Sequence, residues 1–169
     1  MKRIVCALIV LLLLLSISSC EAPWSQKGST VAFYYCTNSA EYSPDQPAIL
    51  AEARQKEATD LERLLNQYFQ GPITETLHSP FPANLHVDSV HVQDGCITVV
   101  LPATFTALTG YKRMVACSCI AKTILAACGC QQVTIEAGAP DSATRFSITL
   151  SQADILLIDN AKSTQEVAS

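Results

Sequence analysis

Cysteine is the residue whose number and spacing could carry chemistry in this chain. Of the eight among 169 residues, Cys6 lies inside an N-terminal apolar run and Cys20 at its end. The remaining six are Cys36, Cys96, Cys117, Cys119, Cys128 and Cys130. Four of these form C-S-C, eight residues, C-G-C, which invites a zinc or copper site because both metals take thiolate ligands. Helix geometry argues against it. If the stretch from about Tyr111 to Cys128 is helical, Cys117 and Cys119 lie about 200° apart around the axis, and Cys117 and Cys128 about 16 Å apart along it. Zinc needs each sulfur at about 2.3 Å, so the four do not converge. Cys117 and Cys128 share a stripe with Met114, Ala121, Ile124 and Leu125, where a thiol packs as a small hydrophobe. Cys119 falls on the opposite side and is expected to accept serine more readily. Core packing is the favoured use of these thiols, disulfides remain open, and their connectivity cannot be chosen from sequence.

No other residues assemble a catalytic set. His86 and His91 are five apart on an expected strand and face opposite ways, and His78 sits in a loop. Asp154 and Asp159 read as cap and tail charges rather than a paired acid and base. The sequence contains no G-x-S-x-G, no HExxH and no Gly-rich phosphate loop among its six glycines. These features lead to the expectation of a protein that is not an enzyme, with no cofactor and no bound metal.

The elements that position these residues follow from periodicity. Thr30–Cys36 (TVAFYYC) is β-branched and aromatic, a strand. Asp45 can cap a helix that opens with Pro47 and runs to Gln70, where Gly71 and Pro72 stop it. Its stripe is Leu50, Leu61, Leu64, Leu65 and Tyr68. His86–Val92 and Cys96–Leu101 are strands joined around Asp94-Gly95, a hairpin signal. The helix from about Tyr111 to Cys128 ends at Gly129, a left-handed cap. Gln132–Ala137 is a strand and Arg145–Leu150 a shorter strand candidate. Ser151 and Asp154 cap a last helical turn through Leu157. The order strand, helix, strand, strand, helix, strand predicts an α+β two-layer sandwich, with two main helices on one face of a small mixed β-sheet.

Met1 to Cys20 has a positive end in Lys2 and Arg3, a 12-residue apolar run from Ile4 to Leu15, and Ser16, Ile17, Ser18, Ser19 and Cys20. That run is short for a spanning helix and suits a signal peptide. Its last residues resemble a bacterial lipobox. The resemblance implies cleavage after Ser19 and diacylglyceryl modification of Cys20, anchoring the chain to the extracytoplasmic face of the cell membrane through two acyl chains. The expected organisation is a signal peptide over 1–19, a lipid-anchored tether over 20–29, one domain over 30–160 and a disordered tail over 161–169. The mean hydropathy of +0.25 is partly a product of the leader. Without it, the apolar share falls from 49% to 46%, an ordinary globular value. Nine basic residues then face 15 acidic ones, which excludes the basic footprint of a nucleic-acid binder.

The order of motifs is similar to the GerMN domain of spore germination and sporulation proteins. It comprises Leu64 through Gly71-Pro72, Pro82 with the Leu85–Val92 strand, and Asp94-Gly95 leading into Ile97, Val99, Val100 and Leu101. Phe105, the Ile120–Leu125 helix end with Thr123, and finally Val133 and Ile135 complete it. The likeness covers roughly Leu61 to Ala137, with Thr30–Cys36 as first strand. It implies a non-catalytic assembly module, related in architecture to the ring-building domains of envelope secretion machines, that binds an envelope protein or a second copy of itself. The cysteine content supports an alternative, a thiol-redox or metal-handling envelope lipoprotein.

Overall fold

The computed structural model describes residues 29–37, 47–57, 60–139 and 145–159. The expected signal peptide, Cys20, Asp45 and the C-terminal tail lie outside the described residues. The chain forms β1 (Thr30–Cys36), β2 (Ile49–Gln55), α1 (Leu61–Phe69), β3 (Ser89–Gln93), β4 (Cys96–Leu101), a 3-10 turn (Ala103–Ala107), α2 (Gly110–Cys128), β5 (Gln132–Ala137), β6 (Phe146–Ser151) and α3 (Gln152–Asp159). It is an α+β fold with two sheets.

The four-stranded sheet has the order β3-β4-β5-β6. It is mixed, because β4 and β5 run parallel while the other neighbours are antiparallel. The β3–β4 hairpin closes through Asp94 and Gly95, at φ 50° and 77°. Two consecutive residues with positive φ make the turn whose twist matches that of the strands it joins. The parallel pair needs a crossover, and α2 supplies it. Alternation sorts β4 and β5 cleanly: Ile97, Val99, Leu101, Val133, Ile135 and Ala137 are buried on the inner face, with Leu150 of β6, while β3 at the edge is exposed or half-buried throughout. Residues of α1 and α2 join the same apolar cluster, and so do Val31, Phe33 and Tyr35 from β1. Thus α2 lies between the two sheets and is buried nearly all round, from Val115 to Cys128. Gly129, at φ 63° and ψ 21°, ends it as a left-handed cap and donates its amide to the Leu125 carbonyl at 2.9 Å.

The expected Pro47–Gln70 helix is divided. Residues 49–55 are strand β2, paired antiparallel with β1 from Cys36↔Ile49 to Thr30↔Gln55. The sequence ILAEARQ is rich in helix formers, but β1 is buried and needs a hydrogen-bonding neighbour, and that tertiary demand overrides weak local propensity. The true helix start is Asp60, whose carboxylate accepts from the Arg63 amide at 2.8 Å. That cap was present in the sequence, hidden by the absence of Gly or Pro ahead of it. At the other end, the Ser151 amide and hydroxyl both donate to Asp154 Oδ2 at 2.7 Å, so the expected cap opens α3.

Candidate functional site

The six thiols occupy three environments. Cys117 and Cys128 belong to the main core, at 0% and 5% exposure. Cys36 and Cys119 are equally buried, in a smaller cluster with Ile49 and Val115. Cys96 and Cys130 are half-buried, and Cys96 Sγ lies 3.6 Å from Thr134 Oγ1. Helix geometry separates Cys117 from Cys119 as expected. The milder outlook for Cys119 does not hold, however: at 0% exposure it is covered by β1 on the side that a one-sheet sandwich would leave open. Among the described residues, no group of three or more His, Cys, Asp or Glu side chains could hold a metal ion.

Burial also sets the chemistry of these thiols. It pushes both Cys117 and Cys128 up to about 12; Arg113 opposes the rise at Cys117 and Lys56 that at Cys128. Burial raises Cys36 and Cys130 as well. These four are protonated at neutral pH. Because the thiolate is the nucleophile and the metal ligand, burial disfavours both roles at these positions.

The rings of His86 and His91 pair with residues other than the thiols. His86 Nε2 meets Asp88 Oδ1 at 3.2 Å in the exposed connection before β3, so the strand begins three residues later than the sequence suggested. His91 Nε2 pairs with Ser89 Oγ at 3.2 Å. His78 bridges Cys36 through backbone atoms, and its carbonyl accepts from Cys36 Sγ at 3.0 Å. Asp154 is held below the ordinary carboxylate range by the Ser151 hydroxyl and amide. It is a cap; the side chain of Asp159 lies outside the described residues.

Two features stand out beyond the thiols. The first is the outer face of the four-stranded sheet, where register aligns residues in rows that are polar but for Val100. His91, Thr98, Thr134 and Thr149 form one row across all four strands, and Ser89, Val100, Glu136 and Ser147 the next. The Thr134 and Thr149 hydroxyls are 2.8 Å apart. Every member of both rows is exposed or half-buried, whereas on the opposite face β4 and β5 are closed and only Val92 of β3 is exposed. Sequence alternation on β4 and β5 contained this signal, but only pairing reveals the rows.

The second is a buried ionic latch on β2. Arg54 pairs with Glu52, with side chains 10% and 7% exposed. The Glu52 carboxylate also accepts from the amides of Ile73 and Thr74, at 2.9 and 2.6 Å. Arg54 donates to the Gly71 carbonyl and lies over the rings of Phe33 and Tyr35, 5.4 and 5.7 Å from their centroids. Burial pushes the Glu52 carboxyl up, but the Thr74 and Arg54 contacts outweigh it and hold the group below its ordinary value. The latch ties the Gly71–Thr74 connection to β2.

The span from within β1 to the residue after β5 carries the family relationship: residues 32–138 match Germane, described as sporulation and spore germination. The chain belongs to the Germane family. The Germane match thus takes in both sheets except β6, both main helices and the latch. A 2.5 Å crystal structure described as a candidate lipoprotein from Clostridium perfringens is similar to this Germane protein at 17% identity. That likeness covers 79% of this chain and 93% of the other, with a TM-score of 0.44. No curated protein matches the chain. No helix among the described residues is long and apolar enough to cross a membrane.

Proposed function

We propose that this Germane protein is a non-catalytic envelope module, anchored by lipid on Cys20, that works by binding an envelope protein or a second copy of itself in sporulation or germination. The observation that carries the reading is the asymmetry of the four-stranded sheet. One face is covered by α1 and α2 except at Val92 near the β3 edge, while the other presents in-register rows of hydroxyl and polar side chains interrupted only by Val100. Protein interfaces of moderate affinity are about as polar as ordinary surface, and such a face is suited to reversible assembly. The raised thiol pKa values favour this reading over the thiol-redox alternative, since protonated buried thiols are poor nucleophiles.

Confinement by lipid raises local concentration and relaxes the affinity that assembly needs. Crosslinking in intact cells therefore tests the proposal, with wild type beside Cys20→Ala. A specific partner or self band from wild type, much weakened in the variant, is expected. Comparable bands from both would remove the role of the anchor, and no band from either would remove the assembly reading.

A further inference from the structure

Two thiols meet across the boundary between β1 and α2. The Tyr34 amide donates to Thr123 Oγ1 at 3.0 Å, which pins strand to helix at one point. From that pin, two residues forward along β1 advance about 6.6 Å. Four residues back along α2 retreat about 6 Å. Where strand and helix run in opposite senses, these steps bring Cys36 level with Cys119, one helical turn from the pin. Their packing agrees, because Cys36 (3% exposed) and Cys119 (0%) close one small cluster with Ile49 and Val115. Ile49 is the cross-strand partner of Cys36, and Val115 lies one further turn along α2. The Tyr68 hydroxyl, lifted above its ordinary value first by burial, also feels both thiols. Of the other cysteines, Cys117 and Cys128 are separated along the helix by about 16 Å, while Cys96 and Cys130, near enough to act on one another electrostatically, are only half-buried and share no closed cluster.

We propose that Cys36 and Cys119 form a disulfide during folding, stapling β1 to α2. The oxidant is a disulfide-bearing thiol oxidant, R–S–S–R. The Cys36 thiolate attacks one of its sulfurs and releases the first R–S⁻. The Cys119 thiolate then attacks the Cys36 sulfur of the mixed disulfide and releases the second. Each cysteine gives up one proton and each released thiolate takes one up, so two electrons pass to the oxidant and two R–SH leave. Both sulfurs are closed off in the finished fold, which places the exchange before α2 docks on β1. On the Cys36 side, turning Sγ toward Cys119 gives up its bond to the His78 carbonyl, and that oxygen keeps the Cys36 amide at 3.2 Å. The inference stands on packing and is independent of the anchor and of the binding role.

The test uses the full chain, unfolded with reductant in detergent and refolded in a mixture of reduced and oxidised glutathione. Free thiols are then alkylated in denaturant, and the digest is mapped by mass spectrometry with and without reductant. A reductant-sensitive species joining the Cys36 and Cys119 peptides is expected, with Cys117 and Cys128 alkylated. Alkylation of all six thiols, or linkage of Cys36 or Cys119 to another cysteine, would overturn the assignment. Cys119→Ala carried through the same procedure should leave Cys36 alkylated. Because that readout is made in denaturant it does not require the variant to fold, and a Cys36 that stays blocked counts equally against the pair.

Discussion

Ile97, Val99, Leu101, Val133 and Ile135 fill the inner face of the four-stranded sheet with aliphatic volume. The region between β1 and α1 is filled instead by rings: Phe33, Tyr35, Tyr68, Phe69 and Phe81, with Tyr68 in contact with all four others at centroid distances of 5.0 to 5.5 Å. Two of those rings also carry directed bonds. The Tyr35 hydroxyl donates to the Tyr68 carbonyl at 2.8 Å, with the Gly71 carbonyl as a second acceptor, and the Tyr68 hydroxyl donates to the Tyr34 carbonyl. The Glu52–Arg54 latch borders the same rings. The aliphatic half depends on volume, since none of those five side chains titrates. The aromatic half depends on direction and charge, so single atoms and protons matter there.

The sharpest way to break this contrast is Glu52→Gln. It leaves the Arg54 guanidinium buried without a carboxylate, and losing one partner of a buried pair costs on the order of 3 kcal/mol. The pH dependence has a definite sign. Glu52 is held below its ordinary pKa, so its contribution is complete above the unfolded value and is lost as pH falls through the folded one. Urea unfolding should therefore show a large deficit near neutrality that closes in acid. Ile135→Val in the aliphatic half, by contrast, should cost about 1 kcal/mol at either pH. A Glu52→Gln deficit that persists unchanged in acid would show that shape, not charge, holds the latch.

The next effect in size belongs to α2, the element both halves share. Cys117→Ser or Cys128→Ser places a hydroxyl where the surroundings are apolar, and should lower stability by about 1–3 kcal/mol. In reduced protein, Cys119→Ser should fall in the same range, because its burial is as complete as that of Cys117. Equilibrium unfolding of the three variants measures this. A negligible change at Cys119 beside a full one at Cys117 would restore a one-sided helix and contradict the second sheet.

Legibility in the sequence followed the same division. The four-stranded half was readable because alternation on β4 and β5, the Asp94-Gly95 turn and the Gly129 cap are local signals that agree with the fold. The β1–β2 half was not, because ILAEARQ has helical composition and becomes a strand only by pairing with residues 30–36. The error carried through to the thiols: without β2, β1 could not be seen as a separate layer, and Cys119 seemed to face outward. The latch was hidden for the same reason, since on a helix from Pro47 to Gln70 neither Glu52 nor Arg54 belongs to the apolar stripe. Cys20, the residue on which the proposed anchor depends, lies outside the described residues.

The smallest effect is a gain, and it probes the latch's side of the molecule from the far end of β2. Lys56 follows that strand at 4% exposure, and its Nζ has no hydrogen-bond partner. Burial pushes its pKa down, with Cys128 acting weakly the other way. A lysine whose folded pKa is lowered binds its proton more tightly in the unfolded chain, so it opposes folding below the folded value and the opposition fades as pH rises toward the unfolded one. Lys56→Met keeps an unbranched side chain of similar length and removes the charge. It should raise stability by about 1 kcal/mol near neutrality, with the gain shrinking at alkaline pH. Unfolding midpoints across that range decide the matter: if Lys56→Met is no more stable than wild type near neutrality, the ammonium has a partner when the protein is in solution, and not every buried charge of β2 was accounted for by Glu52 and Arg54.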